Sequence, residues 1–287
     1  MKWNLFNSSI GLALGGGGAR GIAHIGVLKA FERNHIDISY ISGTSIGALV
    51  ASYYAFGKSI NDIKDIGEDL DLSSVIGFSL DKQGMFSTKS IEKMILRHLG
   101  DVNIEDSIIP LAICTTDILS GEQVILQKGN LAKAVCASIA IPGIFIPIEI
   151  EGKTLVDGGI TENVPISLLD KMGAGITIGV NLNGSQQYQA PKDMIAIMSN
   201  AIDIAIDLRT KDQLKTADFI FSLDLEQYSR VDNSDQFDDL YNKGYRLAQQ
   251  KIKSLFWYRR IRFAFYLQKL YLAILPFKIP NVLTWWR

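Results

Sequence analysis

Ser45 stands between two glycines in Gly43-Thr44-Ser45-Ile46-Gly47, at Gly-x-Ser-x-Gly spacing. A serine hydroxyl acts as a nucleophile when a sharp strand-to-helix turn lifts it above a sheet and a base takes its proton. Small residues are needed on both sides because such a turn brings backbone close to neighbouring elements. A helix starting beside Ser45 would also bring its partial positive end to a developing oxyanion. The same pentapeptide suits a capping serine in a glycine turn. A second stretch, Gly16-Gly17-Gly18-Ala19-Arg20-Gly21, can turn consecutive amides outward into an anion-binding concavity. A tetrahedral intermediate needs two such donors about 3 Å from its oxygen. The stretch also fits the Gly-x-Gly-x-x-Gly of a nucleotide loop, but that loop requires an acidic residue roughly 20 positions on, at the end of the next strand. Here that strand ends in Gly43-Thr44-Ser45, with Asp37 before it. Arg20 could fix the loop by an ion pair or support a bound phosphate, and both stand open.

The third stretch is Asp157-Gly158-Gly159, which alone reads as a turn. The histidines change its weight. There are three, His24, His35 and His98, and none lies beyond position 98. An α/β-hydrolase triad runs Ser, acid, His, with the base after a late strand. That order is absent, so Asp157 becomes the candidate base acting directly on Ser45. A carboxylate serves this purpose only if burial raises its pKa or the helix end lowers that of the serine.

The elements that must hold these groups alternate. Ile10–Leu14 reads as a buried strand before the glycine loop, and residues 21–34 carry apolar side chains at mostly helical spacing. The unit repeats, with a strand at Ile38–Ile41 and a helix from Ser45. Helices are expected over 60–70, 88–99, 131–137 and 193–215, and strands over 111–116, 123–126, 175–181 and 219–223. A hairpin over 145–156 leads to Asp157. Strands alternating with helices predict one α/β domain with a mostly parallel sheet covered on both faces.

Gly-Gly-Gly-Ala-Arg-Gly, Gly-Thr-Ser-Ile-Gly and Asp-Gly-Gly, in that order, resemble the patatin-like phospholipase family. Gly84-Met85-Phe86-Ser87 is similar to the family's Gly-Leu-Phe segment, and Ala137–Pro147 (ASIAIPGIFIP) to its Ala-Ser-x-Ala-x-Pro-x-x-Phe-x-Pro stretch. The resemblance covers residues 10–160. It implies a three-layer α/β/α fold, Ser45 and Asp157 as a catalytic dyad, and Gly16, Gly17 and Gly18 as the oxyanion hole. Arg20, Gly21, Gly43, Gly47, Gly158 and Gly159 fall on the family's supporting motif positions. The implied activity is hydrolysis of lipid acyl esters through an acyl-enzyme, without calcium, another metal or a cofactor. A thioesterase with the same dyad and a non-catalytic lipid-binding scaffold are the alternatives.

At 287 residues with 47% hydrophobic and 21% charged content, the chain can bury a substantial core. Its net charge of -1 hides an asymmetry. Eight of the 29 Lys and Arg residues, and no acid, lie in 251–287, which leaves 21 cations against 30 acids, a net of -9, in 1–250. The expected division is therefore a catalytic domain over 1–250 and a basic, aromatic extension over 251–287. Residues 255–287 place Phe, Trp and Tyr beside Lys and Arg, which suits an anionic membrane surface. A helical wheel over Arg259–Leu275 gives no clean apolar face, and a helix packed on the body or on a second subunit is the alternative. No nucleic-acid-binding motif accompanies the charge. The two cysteines, Cys114 and Cys136, lack both metal-ligand spacing and a disulfide framework. With no signal peptide and no uninterrupted apolar span, the expectation is a cytoplasmic protein, peripheral on the inner face of the membrane. Ser73–Ser87 is a candidate flap over the site.

Overall fold

A computed structural model describes residues 9–68, 86–185, 188, 190–191, 194–230 and 234–274. Residues 73–85 of the expected flap and 275–287 of the basic extension lie outside the described residues.

Five strands, β1 (Ile10–Leu14), β2 (Tyr40–Thr44), β3 (Leu111–Asp117), β7 (Ile176–Asn181) and β8 (Phe219–Ser222), form the parallel part of one mixed sheet. Three antiparallel strands, β4 (Gln123–Leu126), β5 (Ile148–Ile150) and β6 (Lys153–Asp157), complete it. The hydrogen-bonded path runs β5-β6-β3-β2-β1-β7-β8, with β4 also on β3. β2 starts two residues later than the apolar run suggested and continues through Gly43-Thr44, because its partners on β1 and β3 extend that far.

Alternation along the strands feeds two unequal layers. Leu12, Leu14, Ile41, Ile113, Ile178 and Val180 enter the larger core. It is roofed by α1 (Ile22–Arg33), α2 (Ile46–Ala55), α3 (Ile60–Glu68), α4 (Lys89–Leu99) and α5 (Leu131–Ile139). The opposite face carries small residues such as Ala13 and Ala112. There α6 (Gly159–Glu162) and α7 (Ile166–Met172) close in, with Leu168 and Leu169 packed on the sheet. A long α8 (Met194–Leu214) leads to β8, and α9 (Phe237–Ile274) follows. The fold is the expected three-layer α/β/α sandwich.

The α9 helix packs along α1. A Cβ on Gly26 would fall 1.9 Å from the Tyr241 carbonyl oxygen, and one on Gly244 would fall 1.9 Å from that of Ala23. Only glycines allow the two backbones to approach so closely. Ala248, Ile252 and Leu255 extend the contact into the core. Residue 251, where charge composition changes, therefore lies inside a continuous helix, part of whose length belongs to the body.

Candidate active site

The register of β3 brings Ser45 and Asp157 together. β4 occupies one edge of β3 over Ile113–Thr116. The other edge is left to β2, paired with Leu111–Cys114, and to β6, paired with Thr115–Asp117. Since β2 and β6 run in opposite directions, they meet end to end. β2 leaves at Thr44, opposite Cys114, and β6 arrives with Asp157, opposite Thr115.

At that junction the chain turns sharply from β2 into α2. Ser45 takes φ 54° and ψ -127°, a conformation rare for a residue with a Cβ. The glycines beside it are required by contact. A Cβ on Gly43 would lie 2.5 Å from both Ala48 Cα and the Gly47 carbonyl oxygen, and one on Gly47 would lie 2.1 Å from the Leu14 carbonyl oxygen. The turn is held by Ser138 of α5. The Ser45 amide donates to Ser138 Oγ at 2.8 Å, and that hydroxyl donates to the Cys114 carbonyl at 2.7 Å.

Ser45 and Asp157 are each 7% exposed. Burial raises the Asp157 carboxyl from 3.8 to about 6, and the nearby Asp203 pushes it the same way. The Gly159 amide, which donates to Asp157 Oδ1 at 2.7 Å, opposes the rise, as does the polar hydroxyl of neighbouring Ser45. Gly158 lets the strand end pass over β3, where a Cβ would meet the Cys114 carbonyl oxygen at 2.2 Å.

The glycine loop divides its labour. The Gly16 amide is committed to Asn163, whose Oδ1 and backbone carbonyl each accept it at 3.2 Å. Among the described residues no group accepts from the amides of Gly17 and Gly18. Gly18 needs its positive φ of 59° and the absence of a Cβ, which would fall 2.1 Å from the Arg230 carbonyl oxygen. The Ala19 amide donates to that carbonyl at 2.8 Å. Arg20 supports the loop through hydrogen bonds in place of the ion pair its sequence allowed. Its Nε and Nη2 donate to the Tyr228 carbonyl at 2.9 and 2.8 Å, and Nη1 donates to Asn183 Oδ1 at 3.1 Å. Burial lowers its pKa to about 10. Gly21 admits Ile46, whose Cγ1 would lie 2.3 Å from a Cβ there.

His24 is wholly buried, its Nε2 is 2.8 Å from the Gly15 carbonyl, and burial lowers its pKa to about 4. It is a neutral prop beneath the loop. His98 packs edge-on against Tyr53, and His35 sits in the turn after α1.

A cavity of about 190 Å³ opens over these groups, bordered by Gly16–Gly18, Ser45 and Asp157. Its remaining walls are mainly aliphatic, including Leu49, Ile91 and Ile139 from the sandwich and Ile202 and Ile206 from α8. Its polar edge holds Asp203 and Arg230, which form an ion pair, with Asp207 3.6 Å from Arg230. Sequence reasoning assigned no role to Ser138, Asn163, Asp203 or Arg230. Ser138 lies in the quoted Ala-Ser stretch and Asn163 six residues after Asp157, whereas nothing local marks the other two.

This architecture is a three-layer α/β/α sandwich, with its candidate chemistry at the carboxyl edge of the parallel strands. Residues 12–170, more than half of the chain, match the family model described as Patatin-like phospholipase, and the chain belongs to that family. An uncharacterized NTE family protein of Mycobacterium tuberculosis is 38% identical over 180 residues, which cover 62% of this chain and 50% of that one. Lysophospholipase NTE1 of Scheffersomyces stipitis is 34% identical over 195 residues, covering 65% of this chain and 12% of that much longer protein. The chain thus spans half the length of the mycobacterial relative. Among solved structures, VipD from Legionella pneumophila superposes with a TM-score of 0.59 at 17% identity, over 86% of this chain and 67% of that one, a likeness of fold.

Proposed function

We propose that the chain is a serine lipid acyl hydrolase of the phospholipase A or lysophospholipase type, working through a Ser45–Asp157 dyad. The observation that carries this reading is the meeting of Ser45 and the buried Asp157 carboxyl, at the facing ends of β2 and β6, on the border of one aliphatic cavity. A carboxyl with a pKa near 6 is ionised at neutral pH yet basic enough to take a serine proton. The family match and the name of the lysophospholipase relative add support for a lipid substrate.

In the proposed reaction Ser45 Oγ attacks the ester carbonyl carbon, and its proton passes to Asp157. The carbonyl oxygen becomes an oxyanion held by the amides of Gly17 and Gly18, with Gly16 shaping the loop through Asn163. The carbon–oxygen bond to the alcohol breaks, and Asp157 returns the proton to the departing oxygen. Water then attacks the acyl-enzyme, Asp157 takes its proton, and the fatty acid leaves as Ser45 Oγ is reprotonated. Every proton is carried by this dyad, and the chemistry requires no metal or cofactor.

The acyl chain would occupy the aliphatic walls. The catalytic unit expected over residues 1–250 extends along α9 through Ile252 and Leu255, which reach the core. We assign a membrane-surface role to the basic aromatic residues beyond Leu255, within 255–287, in a cytoplasmic protein peripheral to the inner membrane face. Phe256 and Trp257, both exposed on α9, support the latter. Among the described residues no helix is long and apolar enough to cross a membrane. Fatty-acid release from phospholipid and lysophospholipid tests the hydrolase reading. Wild type should release fatty acid and Ser45→Ala should not; release by the variant at the wild-type rate would refute the dyad. Replacing Arg259, Arg260 and Arg262 with Gln should weaken binding to anionic vesicles; unchanged binding would refute the basic anchor.

A further inference from the structure

The α8 helix is apolar on two opposite faces. Its inner positions Ser199, Ile202, Asp203 and Ile206 line the cavity, at the i, i+3, i+4, i+7 spacing of one helix face. Half a turn round, Met194, Ile197, Met198, Ile204 and Leu208 form a second stripe, with each residue between 41 and 76% exposed. From Met194 to Leu208 the stripe is about 21 Å long. An isolated surface leucine needs no explanation, but five large apolar side chains in register on one helix do.

Between Met194 and Leu208 the outer face carries no charge, and Lys211 and Asp212 lie one turn beyond the stripe. The charged residues between 194 and 208 are Asp203 and Asp207, and both are turned inward towards Arg230. The outer stripe therefore offers hydrocarbon with no ionic partner of its own. The inner face of α8 also meets the catalytic junction, because a Cβ on Gly159 would touch Ile206 Cδ1 at 3.3 Å. One helix thus has the candidate acyl cavity on one side and an unpaired apolar surface on the other. The β3–β4 turn adds exposed Ile118 and Leu119 at the carboxyl edge of the sheet, where Ser45 lies.

We infer that the outer stripe of α8 is the surface by which the protein docks on a lipid aggregate, so that the cavity on the inner face stands one helix thickness, about 10 Å, from the phase that holds its substrate. The choice of a lipid surface over a protein partner rests on the hydrolase reading above, on the continuity of α8 with the cavity, and on the lack of charge between Met194 and Leu208 on the outer face. Docking through this stripe is hydrophobic, so it persists where salt screens the basic extension.

The test uses the full chain and vesicles of zwitterionic phosphatidylcholine at high salt, comparing wild type with the triple variant Met194→Gln, Ile197→Gln and Leu208→Gln. Glutamine is a good helix former, and none of the three residues lines the cavity. Vesicle binding should fall at least about tenfold, while turnover of a soluble short-chain ester and the circular dichroism spectrum stay at wild-type values. Equal binding by the two proteins would overturn the inference, as would a wild type that binds no zwitterionic vesicle. A variant that turns from dimer to monomer by light scattering with vesicle binding intact would also overturn it, and would give the stripe to a second copy of the chain. A wild type that docks through the stripe but cleaves no ester would instead sink the hydrolase reading and leave the surface standing.

Discussion

Replacing Asp157 with Asn should stabilise the protein at alkaline pH while abolishing its activity. In the folded state the carboxyl is raised from 3.8 to about 6, chiefly by burial. Between those values the folded chain holds a proton that the unfolded chain has released, so stability falls as pH rises through this window. Fully ionised, the buried group costs about 3 kcal/mol, at about 1.36 kcal/mol per unit. Asn keeps an acceptor for the Gly159 amide without the charge. The variant should therefore exceed wild type by up to about 3 kcal/mol at pH 8, a Tm gain on the order of 6 °C for a chain of this size. The gain should shrink below about 1 kcal/mol by pH 4. His24 contributes the opposite slope, since its pKa is lowered from 6.5 to about 4 and folding loses stability as acid charges it. The two nearly offset each other in wild type, so Asp157→Asn should expose a stability that climbs with pH from about 4 to 6.5. Urea titrations of both proteins across this range measure the difference directly. A difference that does not vary with pH would refute the claim that Asp157 is held neutral-leaning by burial.

The activity of wild type should rise with pH through about 6, as the Asp157 base ionises, and Asp203→Asn should move this limb to lower pH by removing the negative charge that raises the carboxyl; a limb that moves upward in kcat/KM profiles would contradict the assignment. Arg20→Lys cannot reproduce the fork on Tyr228 and Asn183, and kcat should fall at least about tenfold as two charged hydrogen bonds of the loop are lost. A loss confined to KM would show that the loop does not serve the transition state. Gly47→Ala drives a methyl onto the Leu14 carbonyl oxygen. It should cost about 1–3 kcal/mol in denaturant unfolding, and an unchanged midpoint would mean that the elbow yields freely.

The parts of the fold legible in the chain were those written as local pattern. The apolar run Ile10–Leu14 and the turn at Gly43–Gly47 appear where hydrophobic periodicity and glycine spacing place them. The short helices α6 and α7 were not read. They last only one or two turns, and their burial comes from sheet residues far away in sequence. The count of histidines led to Asp157, but no spacing reveals that β2 and β6 meet end to end on β3, since that depends on β4 occupying the opposite edge. Gly16, Gly17 and Gly18 look equivalent in sequence and differ in the fold, because Asn163 takes the first amide. Composition marked a break at residue 251, whereas α9 continues across it with Ala248, Ile252 and Leu255 packed in the core on both sides of that position.

The central claim is that Ser45 is a nucleophile activated by Asp157. Mass spectrometry of the full chain after exposure to a fluorophosphonate probe tests it most directly. The account predicts one covalent adduct, on Ser45, that is absent in Ser45→Ala and forms far more slowly in Asp157→Asn. An unmodified Ser45 in a wild type that hydrolyses esters, or adduct formation at full rate in Asp157→Asn, would contradict it.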